Sequence, residues 1–280
     1  MIQDIYPYHL DNHFIPDLKA EEEDTLFLFS GEKVLCREEE EHVWFPRVKE
    51  YLAGEEDEGS LIYLFRVDGN RYFLSLEDTA EVPCGYEFTA LRSLRRKGIP
   101  DKPLIFAAVT ARHLNDWYRS CRYCGSCGVM LKPSDAERAM VCPSCGRAFY
   151  PRINPAVIVG VTNGEDILLT KYAGRNTPYY ALIGGFTEIG ETLEETVQRE
   201  VMEETGLRVK NIRYYKSQPW GFAADILAGY YCEVDGNPTI HMDEHELKEA
   251  VWMPREKVPG QPDDFSLTNE MMVAFREGRV

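Results

Sequence analysis

The chain has 280 residues, 44% of them hydrophobic, and a formal net charge of −16. That length suits one large or two medium domains with a packed core, and the acidic balance argues against broad non-specific binding to phosphate backbones. No apolar run approaches the roughly 18 residues that cross a bilayer, and the opening MIQDIYPYHL lacks the basic and apolar regions of a secretory leader, so a cytoplasmic enzyme is expected.

Strand-like runs come first, at 25–29, 60–67 and 71–76. Acidic runs at 21–24, 38–41 and 55–58 read as solvated surface and are assigned no function. Arg92, Arg95, Arg96 and Lys97 form a basic set spaced along one helix side. An amphipathic helix follows at 102–118, with Ala107, Ala108, Ala111, Leu114 and Trp117 at helical intervals.

The cysteines mark the next division. Cys124-Gly125-Ser126-Cys127 and Cys142-Pro143-Ser144-Cys145 are paired C-x-x-C elements, each followed by a glycine, Gly128 and Gly146. Two such knuckles complete a tetrahedral Zn²⁺ site, so one structural zinc per chain is expected. Cys121 offers a competing C-x-x-C with Cys124, but the glycine after Cys127 favours the later pair. Cys36, Cys84, Cys121 and Cys232 read as ordinary reduced thiols.

After the lead-in Tyr150-Pro151-Arg152-Ile153-Asn154-Pro155, buried strands are expected at 156–161 and 166–170, joined by a turn at Asn163-Gly164. Thr192 and Glu195 form a capping-box pattern that starts a helix reaching Thr205, and Gly206 suits its C-terminal end. On its wheel Leu193, Val197 and Val201 make the apolar stripe, with Glu200 and Glu204 inside that arc and Glu203 at its edge. A solvated acidic helix would explain Glu194 and Glu195. It explains Glu200 and Glu204 poorly, because burying unpaired like charges costs several kcal/mol. A divalent cation resolves the conflict. A last helix at 267–277 completes a mixed sheet sandwiched between helices, an α/β architecture.

Gly185 to Leu207 reads G-x5-E-x7-R-E-V-x-E-E-x-G-L and resembles the Nudix box with no position missing. The order of parts (N-terminal region, four-cysteine ribbon, YPRINP, the box, then Ser217-Gln218-Pro219-Trp220) resembles the NADH pyrophosphatase branch of the Nudix hydrolases. The likeness is carried by residues 105–280, and by position alone over the first hundred. It implies an N-terminal α+β domain (1–118), a zinc ribbon (119–150) and a Nudix α/β/α sandwich (151–280). It also implies a homodimer that uses Mg²⁺ or Mn²⁺ to split the dinucleotide NAD(H) into NMN(H) and AMP. NAD-capped RNA is a further implied substrate; no membrane partner is implied.

Carried over residue by residue, the resemblance makes Glu200, Glu203, Glu204 and Glu246 metal ligands with the Gly184 carbonyl, and has Arg199 hold Glu191. Phe186 and Tyr150 would sandwich a base, Tyr150 from across the dimer, and Glu137 and Thr268 would be weaker contacts. The substrate segment departs from the family pattern. Pro-Phe-Pro and a closing Ser are expected after Trp220, but the chain has Gly221-Phe222-Ala223-Ala224-Asp225. Gln218, Trp220 and Phe222 persist, and with Pro219, Gly221, Ala223, Ala224 and Asp225 they make up the expected substrate contacts; the altered residues leave open another nucleoside diphosphate derivative, such as ADP-ribose or a dinucleotide polyphosphate. An RNA-binding module using the ribbon is the reading from a different class.

Overall fold

The chain divides into two units, residues 4–152 with 221–223, and residues 1–3 with 153–220 and 224–280. The computed structural model describes all residues except 41, 53–60, 78–81, 97–100 and 175–177, and leaves out the side chains of Leu52 and Arg96. The acidic run 55–58, Glu41, Ser60 and Lys97 therefore lie outside the described residues.

In the first unit the short strands β1 (Leu10–Asp11), β2 (Thr25–Phe27), β3 (Phe29–Ser30), β4 (Lys33–Glu39) and β5 (His42–Trp44) precede helix α1 (Val48–Leu52). Strands β6 (Leu61–Val67), β7 (Asn70–Ser75) and β8 (Glu87–Ala90) and helices α2 (Leu91–Arg96) and α3 (Lys102–Ser120) follow. One sheet runs β1-β6-β7-β2, and a second joins β3, β5 and β8 to β4. The expected single strand at 25–29 is thus two strands in two sheets. Leu28 lies between them, 1% exposed, and its carbonyl accepts from Leu35 N–H. Helix α3 buries Ile105, Ala107, Ala108, Ala111, Leu114 and Trp117, and runs two residues past the expected end.

Strands β9 (Lys132–Pro133), β10 (Met140–Val141) and β11 (Ala148–Phe149) make a three-stranded ribbon with β10 in the middle. Cys124 N–H donates to Val129 O and Gly128 N–H to Cys124 O; Cys142 and Gly146 repeat this with Arg147 and Cys142. Both knuckles need a left-handed residue, and Gly128 and Gly146 each sit at φ 73°.

The second unit is built on strands β12 (Asn154–Asn163), β13 (Asp166–Tyr172), β14 (Ile183–Phe186), β15 (Val209–Trp220), β16 (Asp225–Val234) and β17 (Leu247–Pro254), with helices α4 (Leu193–Thr205) and α5 (Leu267–Arg276). The sheet runs β15-β16-β12-β13-β17, and β14 also pairs with β12. Only β12 and β16 run parallel, so the sheet is mixed. Alternation assigns the two faces. Val157, Val159, Val161, Leu168, Tyr230 and Cys232 pack with Val197 and Val201 of α4. Ile167, Leu169 and Tyr231 pack with Leu267, Met271, Met272 and Phe275 of α5. This is the α/β/α sandwich the pattern predicts. The β12–β13 turn falls one residue later than Asn163-Gly164 suggests: Asn163 pairs with Asp166, and Gly164 takes φ 62° as the first loop residue.

Candidate functional site

Helix α4 owes its start to local chemistry. Thr192 Oγ1 accepts from Glu195 N–H at 3.2 Å, and Glu195 Oε2 accepts from Thr192 N–H at 2.8 Å, the reciprocal capping box. Gly206 ends it at φ 69°, with its N–H bonded to Met202 O. The helix register then buries Glu204 (1% exposed) and Glu200 (9%) beside Val197 and Val201, and leaves Glu203 exposed.

Glu200 lies against β14. A Cβ placed on Gly185 would sit 2.0 Å from Glu200 Cδ and 2.1 and 2.2 Å from its two carboxylate oxygens. No residue but glycine leaves room for that carboxylate. Burial raises the Glu200 carboxyl above its usual range; Arg199 opposes this, while the charges of Glu203 and Glu246 add to it. Glu246 is exposed, in a turn tethered to the C-terminal end of α4: Asp243 N–H donates to Glu204 O, and Glu246 N–H to Asp243 O.

Arg199 organises the rest. Its Nε donates to Glu191 Oε1 at 2.6 Å and its Nη2 to Glu191 Oε2 at 2.9 Å, a two-pronged pair. Nη1 donates to Glu200 at 2.7 Å and Glu203 at 2.9 Å, and Nη2 also reaches the Phe186 carbonyl at 2.8 Å. Glu191 takes further bonds from Glu188 N–H and Thr196 Oγ1, both at 3.0 Å. Arg199 and these donors hold the Glu191 carboxyl at about 2. One guanidinium thus serves Glu191, Glu200 and Glu203 and fastens the end of β14 to α4.

Residues 183–186 form the strand β14, with Gly185 opposite Val157 and Gly184 opposite Ile158. The Gly184 carbonyl accepts a long bond, 3.4 Å, from Tyr172 Oη. No sequence motif marks Tyr172, and the clearance Gly185 gives Glu200 also goes unforeseen. The glycine at the head of the motif was the available signal for the second.

Among the described residues, Cys124, Cys127, Cys142 and Cys145 are the one set of three or more His, Cys, Asp or Glu donors lying within 4.8 Å of one another. Their sulfurs approach to 3.4 Å (Cys127–Cys142), 3.6 Å (Cys124–Cys145) and 3.9 Å (Cys127–Cys145). Backbone N–H donation from Ser126 pulls the Cys124 thiol down to about 6, and the N–H of Cys145 lowers Cys142 in the same way. Despite backbone donation from Val129 and Arg147, hydrogen bonding among the sulfurs raises the second thiol of each pair, Cys127 and Cys145, so the four crowded thiols suit a divalent ion that displaces their protons. Cys121 stands outside the cluster, half-buried.

The expected substrate contacts divide. Phe186 is 55% exposed and Tyr150 57% exposed, in different units, and Tyr150 Oη donates to Glu137 at 2.9 Å. Thr268 is half-buried in the first turn of α5. Gln218 departs from expectation: fully buried, its Nε2 donates to Phe265 O at 2.7 Å and Gln3 Oε1 at 3.1 Å, and its Oε1 accepts from Leu267 N–H at 2.7 Å. That amide is committed to the start of α5, where a helix N–H needs an acceptor. Asp225 is also buried, opposite Trp220 in the hairpin, with Asn154 Nδ2 at 3.3 Å from its Oδ1. Pro219 and Ala223 are exposed, Trp220, Phe222 and Ala224 half-buried, and Ala224 takes φ 61°. Phe222 lies under the Arg92 guanidinium, 5.1 Å from the ring centre.

Comparison with known proteins places this geometry. Residues 152–273 match the family model described as the NUDIX domain, residues 119–150 the NADH pyrophosphatase zinc ribbon domain, and residues 23–117 the NADH pyrophosphatase-like rudimentary NUDIX domain. The NAD-capped RNA hydrolase NudC of Escherichia coli O1:K1 / APEC is 41% identical over 159 residues, which is 57% of this chain and 62% of that protein. The protein of the same description from Shigella boydii serotype 18 matches to the same extent. The match thus spans less than two thirds of the length of these relatives. A crystal structure of a NUDIX hydrolase from Nitrosomonas europaea aligns with a TM-score of 0.48 at 20% identity, covering 56% of this chain and 92% of that one.

Proposed function

The chain belongs to the Nudix hydrolases, in their NADH pyrophosphatase family with a zinc ribbon, and from that we propose that it hydrolyses the pyrophosphate bond of NAD(H) to NMN(H) and AMP. The observation that carries this reading is the burial of Glu200 and Glu204 on one face of α4, Glu200 against Gly185, with Arg199 as the cation bonded to Glu200.

The donor set fits a hard divalent cation: it offers anionic oxygens, and burial with neighbouring negative charge raises the Glu200 carboxyl, a penalty that such an ion would relieve. In this reading Glu200, Glu203, Glu204, Glu246 and the Gly184 carbonyl would hold Mg²⁺ or Mn²⁺. The chemistry such an ion supplies when bound is neutralisation of pyrophosphate oxygens and a water of lowered pKa. Arg199 is a positioning residue, since its forks lock Glu191 and the end of β14 and orient Glu200. Phe186 and Tyr150 offer exposed rings for a flat base, each stack contributing on the order of 1 kcal/mol beyond area burial. Zinc in the four-cysteine ribbon plays a structural part.

NAD-capped RNA is read as a second substrate, because the Escherichia coli and Shigella boydii relatives are NAD-capped RNA hydrolases. The active form is read as a cytoplasmic homodimer, and the domain limits as 1–118, 119–150 and 151–280. A different nucleoside diphosphate derivative, such as ADP-ribose, is the second reading. It is favoured by Gln218 and Asp225, whose side chains are buried among protein groups at positions expected to meet substrate. Incubation with NADH, NAD⁺, ADP-ribose and diadenosine compounds, with Mg²⁺ or Mn²⁺ and chromatographic identification of products, separates the readings. NMNH and AMP from NADH are expected. Brisk ADP-ribose cleavage with no NMNH would replace the first reading with the second.

A further inference from the structure

Strand β15 is an edge strand of the sandwich and carries Lys210 and Arg213. Three residues apart, their side chains would point to opposite faces of a regular strand. They do not, because the pairing slips between them. Lys210 pairs with Glu233 and Arg213 with Tyr231, so three steps on β15 match two on β16. Asn211, inside this bulge, takes φ 53°, a left-handed conformation that asparagine tolerates. Tyr231 packs on the α5 side of the sheet. The bulge therefore turns both cations to that side, away from Glu200 and Glu204.

There they border a cavity of about 420 Å³, lined also by Asn163, Glu233, Arg255 and Phe275. Arg255 is held in place, its guanidinium 4.1 Å from the Phe275 ring centre and its Nε 2.8 Å from Glu165. Lys210 has Asp235 at 3.2 Å, both half-exposed, a weak pair. Glu233 is engaged by Asn211 Nδ2 at 2.9 Å. Arg213 is exposed and has no hydrogen-bond or ion-pair partner among the described residues. Arg213 thus faces this hollow unpaired among the described residues, beside Lys210 and Arg255, whose partners Asp235 and Glu165 lie outside the lining, and the Glu233 carboxylate within it.

Lysine and arginine on an edge strand also serve to deter edge-to-edge pairing. That role needs neither a bulge nor a concavity, and it does not explain an arginine from the far side of the sheet fixed over an aromatic ring. We propose that this cavity is a second, non-catalytic site that takes a phosphate group, a monoester of a free nucleotide or a diester of an RNA strand, with Arg213, Lys210 and Arg255 as its donors. Guanidinium forks match phosphate oxygens, and in a protein of net charge −16 an anion is held only where such donors converge.

The test uses the full zinc-loaded chain at low salt without added Mg²⁺ or Mn²⁺, with AMP and a 5′-hydroxyl RNA oligonucleotide as probes, followed by titration calorimetry. The double variant Lys210→Ala/Arg213→Ala removes two exposed side chains. It should weaken binding at least about tenfold and flatten its salt dependence. A difference with AMP alone identifies a monoester site, a difference with the oligonucleotide alone a strand-binding site, and a difference with both a site that takes either group. NADH hydrolysis by the double variant should stay at the unsubstituted rate. Equal affinity and equal salt slope for both proteins with both probes would overturn the proposal. Because binding is read without turnover, failure of the hydrolase reading would leave this outcome unchanged.

Discussion

Substituting Gly185 by alanine tests the site at its tightest point. The new methyl would stand 2.0 Å from Glu200 Cδ, where ordinary contact begins near 3.4 Å. The carboxylate must therefore retreat by more than about 1 Å, a misplacement that can cost on the order of 10²-fold in rate. The fold can absorb the insertion, because the offended atoms are the end of a flexible side chain; an off-rotamer Glu200 costs about 1 kcal/mol. Gly221→Ala makes the opposite case. There the added Cβ would lie 2.5 Å from the Val109 carbonyl oxygen and 3.2 Å from its carbon, helix backbone that cannot rotate aside. That change should destabilise by roughly 1–3 kcal/mol. Denaturant melts run beside initial rates and Mn²⁺ titrations separate the two. For Gly185→Ala the expected result is a large loss of turnover and a raised metal requirement, with little loss of stability. Turnover close to that of the unsubstituted protein, at an unmoved metal requirement, would refute the assignment of Glu200 to the reaction.

Glu204→Gln should abolish turnover and leave the circular dichroism melt intact, since the amide keeps the buried volume and loses only the charge. Metal analysis should find one zinc per chain, and Cys142→Ser should bring that figure towards zero, because three donors hold the ion far less firmly. Thr192→Ala should cost about 1 kcal/mol through loss of the cap on α4, measured by urea unfolding. The Glu191 carboxyl, held at about 2 against an ordinary 4.5, contributes stability that is complete above pH 4.5 and is lost as the pH falls towards 2. Glu191→Gln should therefore flatten the pH dependence of unfolding across that window.

What could be read from the sequence was what neighbouring residues decide. The capping box at Thr192 and Glu195, the stop at Gly206 and the burial order of Glu200, Glu203 and Glu204 all follow from a 3.6-residue period within one segment. The cysteine knuckles are equally local: two residues between thiols and a left-handed glycine after each pair. Pairing across distance was hidden. Strand β14 contains two glycines and has little strand propensity of its own; β12 imposes it, residue against residue from Ala156–Phe186 to Val159–Ile183. Strand β15 escaped because two register shifts break its alternation, and 25–29 looked continuous although its halves join different sheets.

Gln218 makes the same distinction inside the site. Its motif predicts a substrate contact, yet the partners that claim its amide, Gln3, Phe265 and Leu267, are up to 215 residues away in sequence. The Nudix box spans both kinds of information. Its first glycine and first buried glutamate are fifteen residues apart in the chain and share one van der Waals contact in space. The fixed spacing of the motif is thus the length of chain needed to leave β14, turn at Gly190, and return along α4 so that Glu200 reaches the clearance Gly185 provides. Insertions between them must then move that carboxylate whatever their composition.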